Sequence, residues 1–143
     1  MSRPVEILLV EDNPGDVELT RVAMKDGRVA NRLHVVSDGE EALDFLYRRG
    51  AHRQAVVPDL ILLDLNLPKL NGKHVLAQLK ADAQLRNIPV VVLTTSAAEE
   101  DIARSYACHA NSYIQKPVDF EQFMRAVKQI EEYWLMLVKL PQR

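Results

Sequence analysis

Apolar residues in this chain fall into short runs, and four of those runs end at a residue with a reactive or charged side chain. Ile7-Leu-Leu-Val10 leads into Glu11-Asp12, Leu60-Ile-Leu-Leu63 into Asp64, Val90-Val-Val-Leu93 into Thr94, and Ser112-Tyr-Ile-Gln115 into Lys116. A fifth run, Leu33-His-Val-Val36, has the same length. Between the runs lie amphipathic segments long enough for helices. Short apolar runs alternating with such segments predict parallel strands buried on both faces. Five strand-helix units joined by right-handed crossovers make a doubly wound α/β domain with a five-stranded parallel sheet and five helices.

Local signals place the helices. Asn13-Pro14 supplies a capping residue and a proline for the first turn, so the first helix runs to about Lys25. Val17, Thr20, Val22 and Met24 are its packing candidates, and Gly27 lies just past its end. Ser37-Asp-Gly-Glu40 caps a second helix that buries Ala42, Leu43, Phe45 and Leu46. A polar loop spans Gly50 to Pro58. Leu76 and Leu79 mark a third helix, and Asn87-Ile-Pro89 leads into the fourth strand. A short helix is expected over Glu99 to Cys108. From Phe120 onward, Phe123, Val127, Ile130 and Trp134 repeat at helical spacing and define one face of a long last helix.

The bulk numbers narrow the field. A chain of 143 residues is one domain's worth, here 1–143, with a helical extension and tail at about 133–143. The net charge of −2 gives no electrostatic case for nucleic acid or a membrane surface. No apolar stretch is long enough to span a bilayer, and the start lacks the apolar core of a signal peptide. A lone cysteine rules out an internal disulfide framework. A cytoplasmic location is expected. After Lys116 one helix and a few residues remain, so an appended DNA-binding module is not expected.

In a parallel sheet the strands' carboxyl ends share one edge, where ligands bind. Glu11, Asp12, Asp64, Thr94 and Lys116 should therefore meet in one crevice. Like charges gathered there repel, at roughly 4 kcal/mol for each close pair at an effective dielectric of about 20. A hard divalent cation relieves that repulsion, and Mg²⁺ keeps several waters where few carboxylates are offered. An ammonium and a hydroxyl beside it suit a phosphoryl group.

Leu8-Leu-Val-Glu-Asp12, Asp64-Leu-Asn-Leu-Pro68 with Gly72, Leu93-Thr94 and Lys116-Pro117, in this order and spacing, resemble the receiver domain of two-component response regulators. The likeness covers almost the whole chain. Tyr133-Trp-Leu-Met-Leu-Val-Lys-Leu-Pro141 and the loop ending at Pro58-Asp59 are similar to a narrower group, the stand-alone receivers paired with phytochrome-type histidine kinases. The resemblance implies the flavodoxin-like strand order 2-1-3-4-5. It implies that Asp64 accepts a phosphoryl group from a sensor histidine kinase, giving an acyl phosphate. Mg²⁺ would be held by Asp12, Asp64 and the Asn66 carbonyl, with Glu11 acting through a water. Lys116, Thr94 and Thr95 would contact the phosphoryl group, and a cis Lys116-Pro117 peptide would aim the ammonium. Thr95 stands where the family usually has a smaller residue. Thr94 and Tyr113 would form the switch that carries phosphorylation to the last helices.

The tail adds a surface. Leu135-Met-Leu-Val138 puts four apolar residues in succession on a helix whose core face is already assigned, so some face outward. Trp134, Leu135, Leu137 and Val138 are thus expected to form a dimer or partner surface. Arg48, Arg49, His52 and Arg53 read as a solvated basic loop, with a kinase-docking patch as the rival. The chain is not expected to be an enzyme acting on external substrates. Phosphatases of the haloacid dehalogenase type resemble this edge chemistry but need a second Asp where Asn66 stands. A phosphorylation-independent, receiver-like scaffold is the alternative reading.

Overall fold

The computed structural model describes residues 4–25, 30–67, 72–94, 98 and 112–115, the last four by their backbone. β1 (Val5–Val10) is buried at every position and lies inside the sheet. Around it are β2 (Asn31–Val36), β3 (Leu60–Asp64), β4 (Val90–Thr94) and β5 (Ser112–Gln115), in the order β2-β1-β3-β4-β5 with all neighbours parallel. This is the parallel α/β architecture expected. The fourth and fifth helices of the expectation fall outside the described residues.

Side chains alternate strictly between the two faces, as the two-residue period of a strand requires. Leu8, Val10, Ile61, Leu63, Val90 and Val92 pack in one core cluster, while Ile7, Leu9, Leu60, Leu62, Val91 and Leu93 pack in another. The first cluster is covered by α2 (Gly39–Tyr47) through Ala42, Leu43, Phe45 and Leu46, and by α3 (Gly72–Ala81) through Val75, Leu76 and Leu79. α1 (Pro14–Lys25) covers the second through Met24, with Val17 and Leu19 partly buried. Helices on both faces explain why the strands are apolar throughout rather than alternating.

The caps are those the sequence offers. Asn13 Oδ1 accepts from Asp16 N–H at 3.0 Å ahead of Pro14. Asp38 Oδ1 accepts from Glu41 N–H at 2.8 Å, and the Glu41 carboxylate reaches back to Ser37 N–H at 2.9 Å. α2 ends at Arg48, which takes the left-handed conformation with φ 56°. Asp82 then ties α3 to α2: its Oδ2 accepts from the Tyr47 hydroxyl at 2.8 Å, and its Oδ1 accepts from Gln84 N–H at 2.7 Å. The Tyr47 hydroxyl, followed by the Gln84 N–H, holds the Asp82 carboxyl below its usual range, and the same bond to Asp82 raises the Tyr47 phenol.

Three expectations change. Val22 faces solvent, because Thr20 and Met24 already turn the buried side of α1 to the sheet. β1 and β2 each begin two residues earlier than the apolar runs, so Glu6 and Arg32 lie inside strands. Glu6 is buried with its carboxylate 2.7 Å from His34 Nε2 and 3.3 Å from an Arg32 guanidinium nitrogen. Its backbone exchanges two hydrogen bonds with buried Asp59: Asp59 N–H donates to Glu6 O at 2.7 Å, and Glu6 N–H donates to Asp59 Oδ2 at 2.9 Å.

The 50–58 loop is also more ordered than a polar stretch suggests. A turn of 3₁₀ helix spans Gly50–His52, and Pro58 and Asp59 are buried. Within the basic cluster, Arg49 pairs with Asp44 at 3.2 Å and lies over the Tyr47 ring, while His52 sits 3.1 Å from Glu41. Arg49 and His52 thus contact α2 at its surface, while Arg48, Arg49 and Arg53 stay exposed, as a solvated basic loop does.

Candidate functional site

Register decides which polar residues meet. β1 and β3 align Val10 with Leu63, so Glu11 and Asp64 emerge side by side where those strands end. β3 and β4 align Asp64 with Leu93, which brings Thr94 to the same edge. Thr94 in turn aligns with Gln115, the residue before Lys116.

Glu11, Asp12 and Asp64 offer carboxylate oxygens that all lie within 4.8 Å of one another. Glu11 and Asp64 are each only 2% exposed, whereas Asp12 is open to solvent. Local hydrogen bonds hold the two buried acids. Glu11 N–H continues the ladder to Val36 O at 3.0 Å, and its Oε2 accepts from Asn13 N–H at 3.2 Å. The second bond closes a turn that faces Asp12 outward. Asp64 Oδ1 accepts from Asn66 N–H at 3.0 Å, folding the chain sharply after β3. Thr94 is fully buried, and its Oγ1 makes no hydrogen bond among the described residues.

Three carboxylates at this separation form a hard-oxygen donor set. Such a set matches Mg²⁺, Mn²⁺ or Ca²⁺ rather than thiophilic metals. Two buried acids this close are also costly to keep together without a cation. The residues present therefore fit a divalent ion.

Of the residues singled out by sequence, Glu11, Asp12, Asp64, Asn66 and Thr94 gather at this edge. Lys116, Thr95, Trp134, Leu135, Leu137 and Val138 lie outside the described residues, as does the Lys116-Pro117 peptide; Tyr113 is placed by its backbone in β5. By sequence Gly72 enters only through its spacing from Asp64, yet it packs directly on the backbone of that residue. A glycine opening a helix eight positions after the acid was the available signal.

A parallel sheet with an acidic triad and a buried hydroxyl at its carboxyl edge carries groups suited to metal-assisted phosphoryl chemistry. The family comparison agrees: residues 7–128 match the response regulator receiver domain, and the chain belongs to that family. Response regulator Rcp1 of Synechocystis sp. is 43% identical over 138 residues, covering 96% of this chain and 94% of its own length. A phosphorylated cyanobacterial phytochrome response regulator, RcpA, superposes with a TM-score of 0.88 at 46% identity, covering 98% of this chain and all of that one. The Mn²⁺-bound form of Rcp1 gives 0.86 at 42% identity, covering 97% of this chain and all of that one. No helix among the described residues is long and apolar enough to cross a membrane.

Proposed function

We propose that this chain is a stand-alone response regulator that accepts a phosphoryl group on Asp64 from a sensor histidine kinase of the phytochrome type. The carrying observation is Asp64 itself: buried at the end of an inner strand, held by Asn66 N–H, and within 4.8 Å of two further carboxylates. The near full-length likeness to phytochrome response regulators supports the partner.

In the reaction, an Asp64 carboxylate oxygen attacks the phosphorus of a phosphohistidine. A P–O bond forms to Asp64, the P–N bond breaks, and the imidazole leaves with the electron pair. Asp12, Asp64 and the Asn66 carbonyl would hold Mg²⁺, with Glu11 acting through a water. The ion supplies charge neutralisation for the transferring group. The Asn66 N–H, donating to Oδ1, orients the acceptor carboxylate. Thr94, with a buried hydroxyl and no partner among the described residues, is suited to donate to the phosphoryl oxygens. Lys116 and Thr95 are assigned the remaining phosphoryl contacts on this reading.

About two added negative charges then bias an existing equilibrium, with Thr94 and Tyr113 as the moving pair. The domain is completed by five helices, spans 1–143, and acts in the cytoplasm by binding partners. One such partner is a second copy, engaged through Trp134, Leu135, Leu137 and Val138. The protein assists its own phosphorylation and dephosphorylation but turns over no external substrate.

The test is intact-mass detection of labelling by acetyl phosphate, with and without Mg²⁺, in wild type and Asp64→Asn. A Mg²⁺-dependent label that vanishes in the variant is expected. No label, or one indifferent to both, would refute the acceptor role and favour a phosphorylation-independent scaffold.

A further inference from the structure

We infer that Gly72 is a positioning residue for the phosphoacceptor, setting the turn that carries both the Asp64 carboxylate and the Asn66 carbonyl. This rests on the proposed role of Asp64. α3 begins at Gly72, and a Cβ there would stand 2.7 Å from Leu65 Cα and 3.2 Å from the Asp64 carbonyl carbon. It would come closer still to the Asp64 carbonyl oxygen. All three atoms are backbone, so none can rotate away as the tip of a flexible side chain would. Only a residue without a side chain lets the start of α3 rest against the end of β3.

The contact is also bonded. Gly72 N–H donates to Leu65 O at 3.2 Å, while Leu65 N–H donates to Leu93 O at 3.2 Å. Residue 65 is therefore gripped from α3 on one side and β4 on the other. Its neighbours are the acceptor, whose Oδ1 takes the Asn66 N–H, and Asn66 itself. Leu65 is buried, which removes side-chain slack from the same turn. Any displacement of α3 at its first residue passes through Leu65 into the two groups proposed to hold the cation. Groups that hold metal ligands in place characteristically tune affinity by about 10–100-fold.

The test compares wild type, Gly72→Ala and Leu79→Ala. Leu79 is fully buried on the same helix but away from the acidic edge, so it reports loss of packing alone. Mn²⁺ binding is read from the free-ion electron paramagnetic resonance signal at a temperature where circular dichroism shows each protein folded. Gly72→Ala should bind Mn²⁺ about ten-fold more weakly, and Leu79→Ala should bind as wild type does. Equal affinity in Gly72→Ala, or an equal loss in Leu79→Ala, would overturn the inference.

A second measurement needs no variant. In wild type, adding Mg²⁺ should slow hydrogen exchange of the Gly72 and Asn66 amides together, with the Leu79 amide unchanged. An indifferent Gly72 amide would overturn the inference even if Gly72→Ala does not fold. If wild type itself binds no Mn²⁺, the proposed function fails as well. If wild type binds Mn²⁺ and takes label while these comparisons fail, the role of Gly72 alone is wrong.

Discussion

Replacing Asp12 with Asn should make the protein more stable without metal and less stable with it. Asp12 sits within 4.8 Å of both Glu11 and Asp64 through their carboxylate oxygens. At that separation Coulomb's law gives about 3.5 kcal/mol per pair at an effective dielectric of 20 and about 0.9 kcal/mol in bulk water. Asp12 is exposed, so the lower figure governs, and its two neighbours together amount to about 2 kcal/mol. The separation is shorter than the Debye length of about 8 Å at physiological salt, so the repulsion survives in ordinary buffer.

For a domain of this size, that corresponds to a rise in Tm of roughly 6 °C in EDTA. Saturating metal acts the other way. At a hundred times its Kd, a bound ion adds about 2.7 kcal/mol to wild type, roughly 8 °C. Asp12→Asn, lacking a ligand, should gain far less, so the order of stability reverses on adding Mg²⁺. Differential scanning calorimetry in EDTA and across a Mg²⁺ series reads both effects. An Asp12→Asn protein that melts below wild type in EDTA, or shifts equally with Mg²⁺, would refute the assignment of this edge as a cation site.

Asp59→Ala leaves the buried Glu6 N–H without its carboxylate acceptor and should cost about 1–3 kcal/mol. A shift in urea stability under about 0.5 kcal/mol would show that the bond is dispensable. Arg48→Gly relieves a left-handed conformation worth roughly 1–2 kcal/mol, against about 0.5–1 kcal/mol of added chain entropy, so a small net stabilisation is expected in the same assay. A lower midpoint for Arg48→Gly would contradict that balance.

The Tyr47–Asp82 bond predicts a pH profile. Asp82 is depressed below 3.8, so its contribution is present above that value and is lost as pH falls through the lower, folded-state value. Tyr47 is raised above 10.0, so its contribution is complete below that value and is lost as pH rises through the folded-state value. Tyr47→Phe should flatten both limbs in chemical denaturation across pH, and an unchanged profile would show that the bond contributes nothing.

The strands were legible because burial on both faces leaves an apolar run with nothing to disguise it. The acidic edge was legible because parallel strands deliver their ends to one side, so spacing along the chain converts directly into proximity. Charged residues inside strands were not legible. Glu6 and Arg32 break the apolar pattern, and only the pairing with His34 and Asp59 shows why a carboxylate is tolerated there. Val22 escapes the pattern for a related reason: hydrophobicity alone does not say which side of α1 meets the sheet. The contact of Gly72 with the Asp64 backbone depends on atoms that no side-chain pattern encodes.

The sheet order has a consequence for how the protein comes into being. β1 is made first but sits inside the sheet, and its partners arrive late: Glu6 meets Arg32 across 26 residues and Asp59 across 53. During synthesis its apolar stretch therefore waits without a sheet to join, at the stage when exposed strand edges invite aggregation. Glu6 and Arg32 put charges into that waiting pair of segments, as gatekeeper residues do. The acidic edge, drawing on β1 and β3, cannot exist before the chain has passed Asp64, so a nascent fragment that ends earlier lacks the clustered carboxylates altogether.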